Sequence, residues 1–235
     1  MTQQLILDLL STPTPTLENF VVGKNQAVLD ALNSCEPGRA LYLWGAQGAG
    51  RTHLLRALGT MPRALYFGVA DRADTLKDIA TGDSVALDLI AIDDVGQLNE
   101  HAQSAVFALY NRWREVSSTR RAFVLLLAGD QAPLAMPLRE DLRTRLGWDL
   151  VFRLEPLSDG DLAVAFETRA NEKGLKLTPE ITNWVLTHYA RDMGRLGALL
   201  DALDRYSLEK HRAITLPLLK DLLSMTPMPA APLHS

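Results

Sequence analysis

The stretch Leu41-Tyr42-Leu43-Trp44-Gly45-Ala46-Gln47-Gly48-Ala49-Gly50-Arg51-Thr52-His53-Leu54-Leu55 constrains this chain most. An apolar run stops at a glycine-rich turn, and helical spacing resumes at once. Gly45, Gly48 and Gly50 allow the backbone to curl so that successive N–H groups face an anion. A helix starting near Arg51 adds its positive N-terminal end. The spacing is that of a P-loop, G-x-x-x-x-G-[KR]-T, with Arg51 where lysine usually stands. In that reading Arg51 reaches the outer phosphates and the Thr52 hydroxyl holds Mg²⁺. A plain glycine turn between strand and helix has the same appearance, so the rest of the chain must decide.

The second landmark is Leu87-Asp88-Leu89-Ile90-Ala91-Ile92-Asp93-Asp94, an apolar strand that delivers two carboxylates at its carboxyl end. That is where a Walker B acid acts on Mg²⁺. Asp93 is the metal-side residue, and Asp94 would stand near an attacking water. Strands are expected at 40–44, 64–68, 86–92, 121–128 and 149–154, with helical segments between them. Alternation of this kind implies a parallel five-stranded sheet covered on both faces, an α/β fold. Its ligands sit at the carboxyl ends of the strands. The strand through Ala128 ends at Asp130, which either touches the γ-phosphate region through water or caps a turn.

From His101 to Val116, residues Ala105, Val106, Leu109, Tyr110, Trp113 and Val116 share one helical stripe. Phe107, Asn111 and Arg114 fall on a different face, either a contact surface or an incidental exposed ring. The stretch Leu138 to Trp148 places Arg139, Arg143 and Arg145 on a short helix. They form a solvated face, or else one guanidinium is fixed at a domain edge. Beyond Pro156 the pattern is purely helical. Ser158 and Asp161 make a near capping box, Pro179 opens a second helix, Asp192 precedes a third that carries Arg195 near its start, and Leu216 begins a fourth.

Composition narrows the function. The net charge of −4 and a pI near 5.7 speak against a broad basic surface for nucleic acid. The single Cys35 rules out an internal disulfide and suits a reducing cytosol. No signal peptide and no apolar stretch of membrane-spanning length is present, so a cytoplasmic protein is expected. The expected organisation is an N-terminal peptide (1–12), a nucleotide-binding domain (13–155), a helical lid (156–223) and a disordered proline- and alanine-rich tail (224–235). Gln4-Leu5-Ile6-Leu7-Asp8-Leu9-Leu10 on its Pro/Thr tether reads as a peptide offered to a partner's groove, or as a segment packed on its own domain.

P-loop, Asp-Asp strand, polar strand end, helix-edge arginine and helical lid together resemble the AAA+ nucleotide-binding module. Phe20-Val21-Val22-Gly23-Lys24, Ile92-Asp93-Asp94 and Arg143-Thr144-Arg145-Leu146-Gly147-Trp148 are similar to the replication initiator DnaA over about residues 17–223. The helix-turn-helix DNA-binding domain of an initiator is not expected here, and neither is its N-terminal domain. The clamp-like N-terminus, Arg51 and Phe107-Ala108-Leu109-Tyr110-Asn111 resemble the Hda family of DnaA-related regulators. That resemblance implies the following roles. Gln4, Leu5, Leu7 and Leu9 anchor a peptide like Q-L-x-L-P-L on the replicative sliding clamp, the beta subunit of DNA polymerase III, with Asp8 in place of proline. Val21, Val22 and Gly23 lie beside adenine. Gly45, Gln47, Gly48, Ala49, Gly50, Arg51, Thr52 and His53 cradle the phosphates of ADP or ATP with Mg²⁺. Asp130 is the first sensor and Arg195 the lid sensor. Arg145 is an arginine finger acting in trans on ATP bound to DnaA, and Phe107 and Asn111 belong to the face that meets DnaA.

The function implied is negative regulation of replication initiation through hydrolysis of DnaA-bound ATP, with no direct specific DNA binding. The alternative is an autonomous AAA+ ATPase, a DnaA-like loader or remodeller acting as a homo-oligomer. The intact pair Asp93-Asp94 and Arg145 permit it, whereas Arg51 and the clamp-like N-terminus weigh against it.

Overall fold

The computed structural model describes residues 14–68, 73–82, 87–189 and 191–224. Gln4, Leu5, Leu7 and Leu9 of the expected clamp peptide, and the tail from residue 225, lie outside the described residues. Two compact units result, one spanning Thr14–Pro156 and the other running onward from Leu157.

Short, continuous apolar runs build the first unit. Strands β1 (Ala40–Trp44), β2 (Ala64–Phe67), β3 (Leu89–Ile92), β4 (Val124–Gly129) and β5 (Leu150–Arg153) form one sheet in the order β2-β3-β4-β1-β5, with every pairing parallel. Their side chains point alternately to two faces, and both faces are buried. Tyr42, Ile90, Ile92, Leu125 and Leu127 join one core. It is closed by helices α3 (Ala73–Thr81), α4 (Glu100–Val116) and α5 (Glu140–Arg145), through Leu76, Val106, Leu109, Trp113 and Leu142. Leu41, Leu43, Ala91, Leu126 and Ala128 join the other. There α1 (Gln26–Asn33) and α2 (Arg51–Gly59) supply Val28, Leu29, Leu54 and Leu55. The stripe expected on α4 is the face that is buried.

Asp149 ties the start of β5 to the start of β1. Its carboxylate accepts from Arg39 Nε at 2.8 Å and Nη2 at 2.6 Å, and from the Ala40 N–H at 2.9 Å. The Arg39 hydrogen bonds hold this carboxyl below its ordinary range, against the opposing effect of burial. A group depressed in the folded state stabilises above its unfolded pKa, and that contribution is lost as pH falls through the folded value. Asp149→Asn is therefore expected to cost about 1 kcal/mol near neutral pH, discounted because Arg39 is half exposed. The gap to wild type should close in acid. Urea unfolding at both pH values checks it, and a gap of constant size would contradict it.

In the second unit, four helices follow: α6 (Asp159–Glu172), α7 (Pro179–His188), α8 (Met193–Lys210) and α9 (Leu216–Ser224). A full capping box opens α6, with Ser158 Oγ accepting from the Asp161 N–H at 3.1 Å and the Asp161 carboxylate accepting from the Ser158 N–H at 3.3 Å. Phe166, Val185, Leu199, Leu203 and Leu219 fill the core. Among the described residues no helix is long and apolar enough to cross a membrane.

Candidate nucleotide site and the arginine edge

Strand order alone assembles the first site. β4 lies between β3 and β1, so the carboxyl ends carrying Asp93, Asp130 and Gly45 stand side by side. In the register, Trp44 pairs with Gly129 and Ile92 with Leu127.

From Gly45 the loop runs to Gly50, which sits at φ +98° and caps α2. A Cβ at Gly50 would lie 2.5 Å from the Phe20 ring, so glycine is required there twice over. The Leu54 N–H takes the Gly50 carbonyl at 3.1 Å. The N–H groups of Arg51, Thr52 and His53 therefore begin the helix beyond any intrahelical acceptor. His53 turns away from the loop, and its Nε2–H donates to the Thr16 carbonyl at 2.8 Å while its ring packs on Phe20. The His53 ring thus braces the segment that leads into Val21, Val22 and Gly23, while its backbone N–H stays among those at the start of α2.

That segment is fixed from its other end by Asn25. Only 3% exposed, Asn25 donates through Nδ2 to the Glu155 carbonyl at 2.9 Å and accepts the Glu155 N–H at 2.8 Å. Val21 and Val22 are half-buried, and Gly23 takes φ +50°. Asn25→Ala would orphan both backbone groups and is expected to cost about 2–3 kcal/mol. Denaturant unfolding measures this, and a loss below about 0.5 kcal/mol would show the pair to be unimportant.

Asp93 is 2% exposed and fully engaged. One oxygen accepts the Tyr66 hydroxyl at 3.0 Å, and the other accepts the Asp94 N–H at 2.9 Å. Tyr66 in turn stacks under Arg56. Asp94 is left-handed at φ +44° and pairs with Arg51 Nη2 at 3.5 Å. Burial raises its pKa, with the Asp93 and Asp130 charges adding to the effect and Arg51 opposing it. Asp130 is exposed, and its carboxylate faces Gly96 in the turn after β3. Arg51 Nη1 is buried with no hydrogen-bond partner. A buried guanidinium nitrogen without an acceptor is costly unless an anion completes it, and the residues here fit a phosphate. Among the described residues no three His, Cys, Asp or Glu side chains gather as a preformed metal site. Mg²⁺ commonly uses one or two carboxylates together with phosphate oxygens, which Asp93 or Asp94 with Thr52 would suit. Arg195 lies in the other unit, exposed in the first turn of α8, where its N–H bonds Asp192 at 2.9 Å.

A second constellation stands at the carboxyl end of α5. The Arg145 guanidinium stacks 3.6 Å from the centre of the Phe107 ring and 4.9 Å from that of Trp148. Its Nη1 donates to the Asn111 side-chain oxygen and, at 3.3 Å, to the Phe107 carbonyl. Arg114 lies over the other ring, Trp148, at 5.0 Å, and Arg139 over Phe107 at 5.7 Å. Arg139 is neutralised by Asp141, whereas Arg145 makes no ion pair among the described residues. Burial lowers the Arg145 pKa.

With this geometry in hand, the comparisons decide the family. An uncharacterized protein of Haemophilus influenzae is 31% identical over 235 residues, spanning 96% of this chain and all of its own length. The family described as "Hda, lid domain" matches residues 159–223. The chain belongs to the Hda/DnaA-related AAA+ family. The AAA+ fold is shared with domain III of DnaA from Thermotoga maritima, at TM-score 0.69 and 23% identity, covering 92% of this chain and 98% of that one. It is shared also with AMPPCP-bound DnaA from Aquifex aeolicus, at TM-score 0.61 and 21% identity, covering 85% and 70%. A RuvB variant of Thermotoga maritima aligns at TM-score 0.63 and 15% identity, covering 92% and 73%. As an AAA+ chain it places Arg51, Asp93, Asp94 and Asp130 around one set of strand ends, and sets Phe107, Asn111 and Arg145 apart as a separate cluster. Sequence reasoning missed Tyr66 and Asn25. The alternation of Ala64-Leu65-Tyr66-Phe67 gives Tyr66 a face, but nothing local marks Asn25, whose partner is a distant backbone.

Proposed function

We propose that this protein is a negative regulator of replication initiation that promotes hydrolysis of ATP bound to DnaA. One observation carries the reading: Arg145 is held by neutral acceptors and rings and makes no ion pair with a carboxylate among the described residues. A partner's nucleotide is an anion that such a group fits. In this reading ADP or ATP with Mg²⁺ occupies the protein's own site. Arg51 and the first-turn N–H groups of α2 bind the phosphates, Thr52 and Asp93 serve the metal, and Val21, Val22 and Gly23 flank the base. Arg195 supplies a lid arginine. The bound nucleotide brings negative charge that completes Arg51 and orders the loop. The N-terminal Gln4, Leu5, Leu7 and Leu9 dock on the sliding clamp, which brings Arg145 to DnaA on DNA.

An autonomous ATPase is the second reading, supported by the pair Asp93 and Asp94 beside Asp130. The ion pair from Arg51 to Asp94 weighs against it, because it engages the carboxylate that would have to orient water. The test is phosphate release from ATP-loaded DnaA on adding this protein with clamp-loaded DNA. Stimulation is expected, with removal of residues 1–10 abolishing clamp binding. No stimulation, alongside vigorous hydrolysis by this protein alone, would overturn the regulator reading.

A further inference from the structure

The end of α2 and the middle of β2 meet more closely than two side chains would permit. A Cβ at Gly59 would stand 2.5 Å from the Tyr66 Cβ, so glycine there leaves room for the Tyr66 side chain to lie against the helix. Three residues earlier, on the same face of α2, the Arg56 guanidinium covers the Tyr66 ring at 5.4 Å from its centre. The half-buried ring is thereby seated on α2. In the β2–β3 register Tyr66 pairs with Ala91, which shares a face of the sheet with Asp93 two residues on. The phenol reaches up that face, and its hydroxyl donates to Asp93 Oδ2 at 3.0 Å while Oδ1 takes the Asp94 N–H at 2.9 Å. Burial holds the Tyr66 pKa above its ordinary value, with Arg56 opposing and the Asp93 charge adding, so the hydroxyl stays a donor. A carboxylate 2% exposed and gripped by one side-chain and one backbone donor has a fixed plane, and each oxygen keeps a second lone pair.

We propose that Tyr66 is a positioning residue for the metal-side carboxylate: seated on α2 by Arg56 and Gly59, its hydroxyl sets the orientation of Asp93 toward the cation that accompanies ADP. The inference rests on the assignment of Asp93 to Mg²⁺ given above. Thr52 stands in the first turn of α2 and the seat of Tyr66 in its last, so one helix registers both metal-side groups against each other. Hydrogen-bond partners of a metal-side carboxylate act through its orientation, and losing one lowers metal affinity by about 10–100-fold.

Tyr66→Phe separates the hydroxyl from the ring, since phenylalanine keeps the contacts with Arg56 and Gly59. The full chain, saturated with ADP, is titrated with Mn²⁺ in place of Mg²⁺, and the free ion is read by its EPR signal. Wild type should bind Mn²⁺ in an ADP-dependent way, and Tyr66→Phe should raise the Mn²⁺ Kd about tenfold. Gly59→Ala, which keeps the hydroxyl but fills the seat of the ring, should raise it in the same direction. Thermal unfolding without nucleotide shows that each variant is folded. In parallel, the ¹³Cγ signal of Asp93, identified by its loss in Asp93→Asn, is followed by NMR in the protein without nucleotide or metal. It should move in both Tyr66→Phe and Gly59→Ala. An unchanged Mn²⁺ Kd in folded Tyr66→Phe would overturn the proposal. A tighter one would also overturn it, because the hydroxyl would then be competing with the cation for Asp93. An Asp93 signal indifferent to Tyr66→Phe would overturn it as well. Absence of ADP-dependent Mn²⁺ binding by wild type is a failure of the metal assignment itself, and the NMR arm still decides whether Tyr66 holds the carboxylate.

Discussion

Arg145→Ala is expected to remove nearly all stimulation of DnaA-bound ATP hydrolysis, on the order of 10³-fold or more by analogy with arginine fingers of GTPase systems. Phosphoryl transfer spreads charge over the equatorial oxygens, and a guanidinium brought from outside stabilises that charge directly. The structure supplies a guanidinium without an ion pair, seated on Phe107 and tethered to Asn111. Clamp binding should be unaffected, since α5 lies elsewhere in the chain from residues 4–9. Arg145→Lys should recover little, because an ammonium lacks the planar fork that both stacks on the ring and leaves a second edge free. Phosphate release is the readout. Full stimulation by Arg145→Ala would remove Arg145 from the mechanism.

The second large effect concerns Arg51. Arg51→Ala is expected to weaken ADP binding about 100-fold, the equivalent of one or two charge-assisted hydrogen bonds. The reasoning starts from the buried Nη1 with no partner and the Nη2 that reaches Asp94 at 3.5 Å. One arm is thus available to phosphate while the other meets a carboxylate. Alanine would also remove the charge that opposes the upward pKa shift of Asp94, leaving burial and Asp93 to push it further. Arg51→Lys keeps the charge as a single point and should lose only severalfold. Titration with a fluorescent ADP analogue measures both, and an unchanged Kd in Arg51→Ala would show that the loop is not a phosphate cradle.

Much of the fold was legible because it is periodic. The buried strands announce themselves by apolar runs, and α4 by one apolar stripe whose members are all buried. Asp93 and Asp94 were legible as a site because a strand end is where an α/β sheet presents its ligands. The face bearing Phe107 and Asn111 was visible as departures from the α4 stripe, but its first task was not. Nothing local in the sequence says that Arg145 folds back onto it, since that depends on how α5 docks on α4. Asn25 and Tyr66 escaped for the same reason. One binds the backbone of Glu155, the other the carboxylate of Asp93, and neither partner is near in sequence. The bond from the His53 ring to the Thr16 carbonyl was equally hidden, since the motif speaks only for the backbone of that residue.

The strand order has a further consequence for how such a chain comes off the ribosome. β1, which bears the phosphate loop, pairs only with β4 and β5 among the described residues, and both follow it in synthesis. Its residues Leu41, Tyr42 and Leu43, almost wholly enclosed in the finished protein, have no neighbouring strand when they emerge. β2 and β3 can pair with each other earlier, but they cannot reach β1 until β4 arrives to lie between them. The loop and its carboxylates are thus assembled by the last strands translated in their unit, and no shorter N-terminal piece of that unit carries the completed sheet edge.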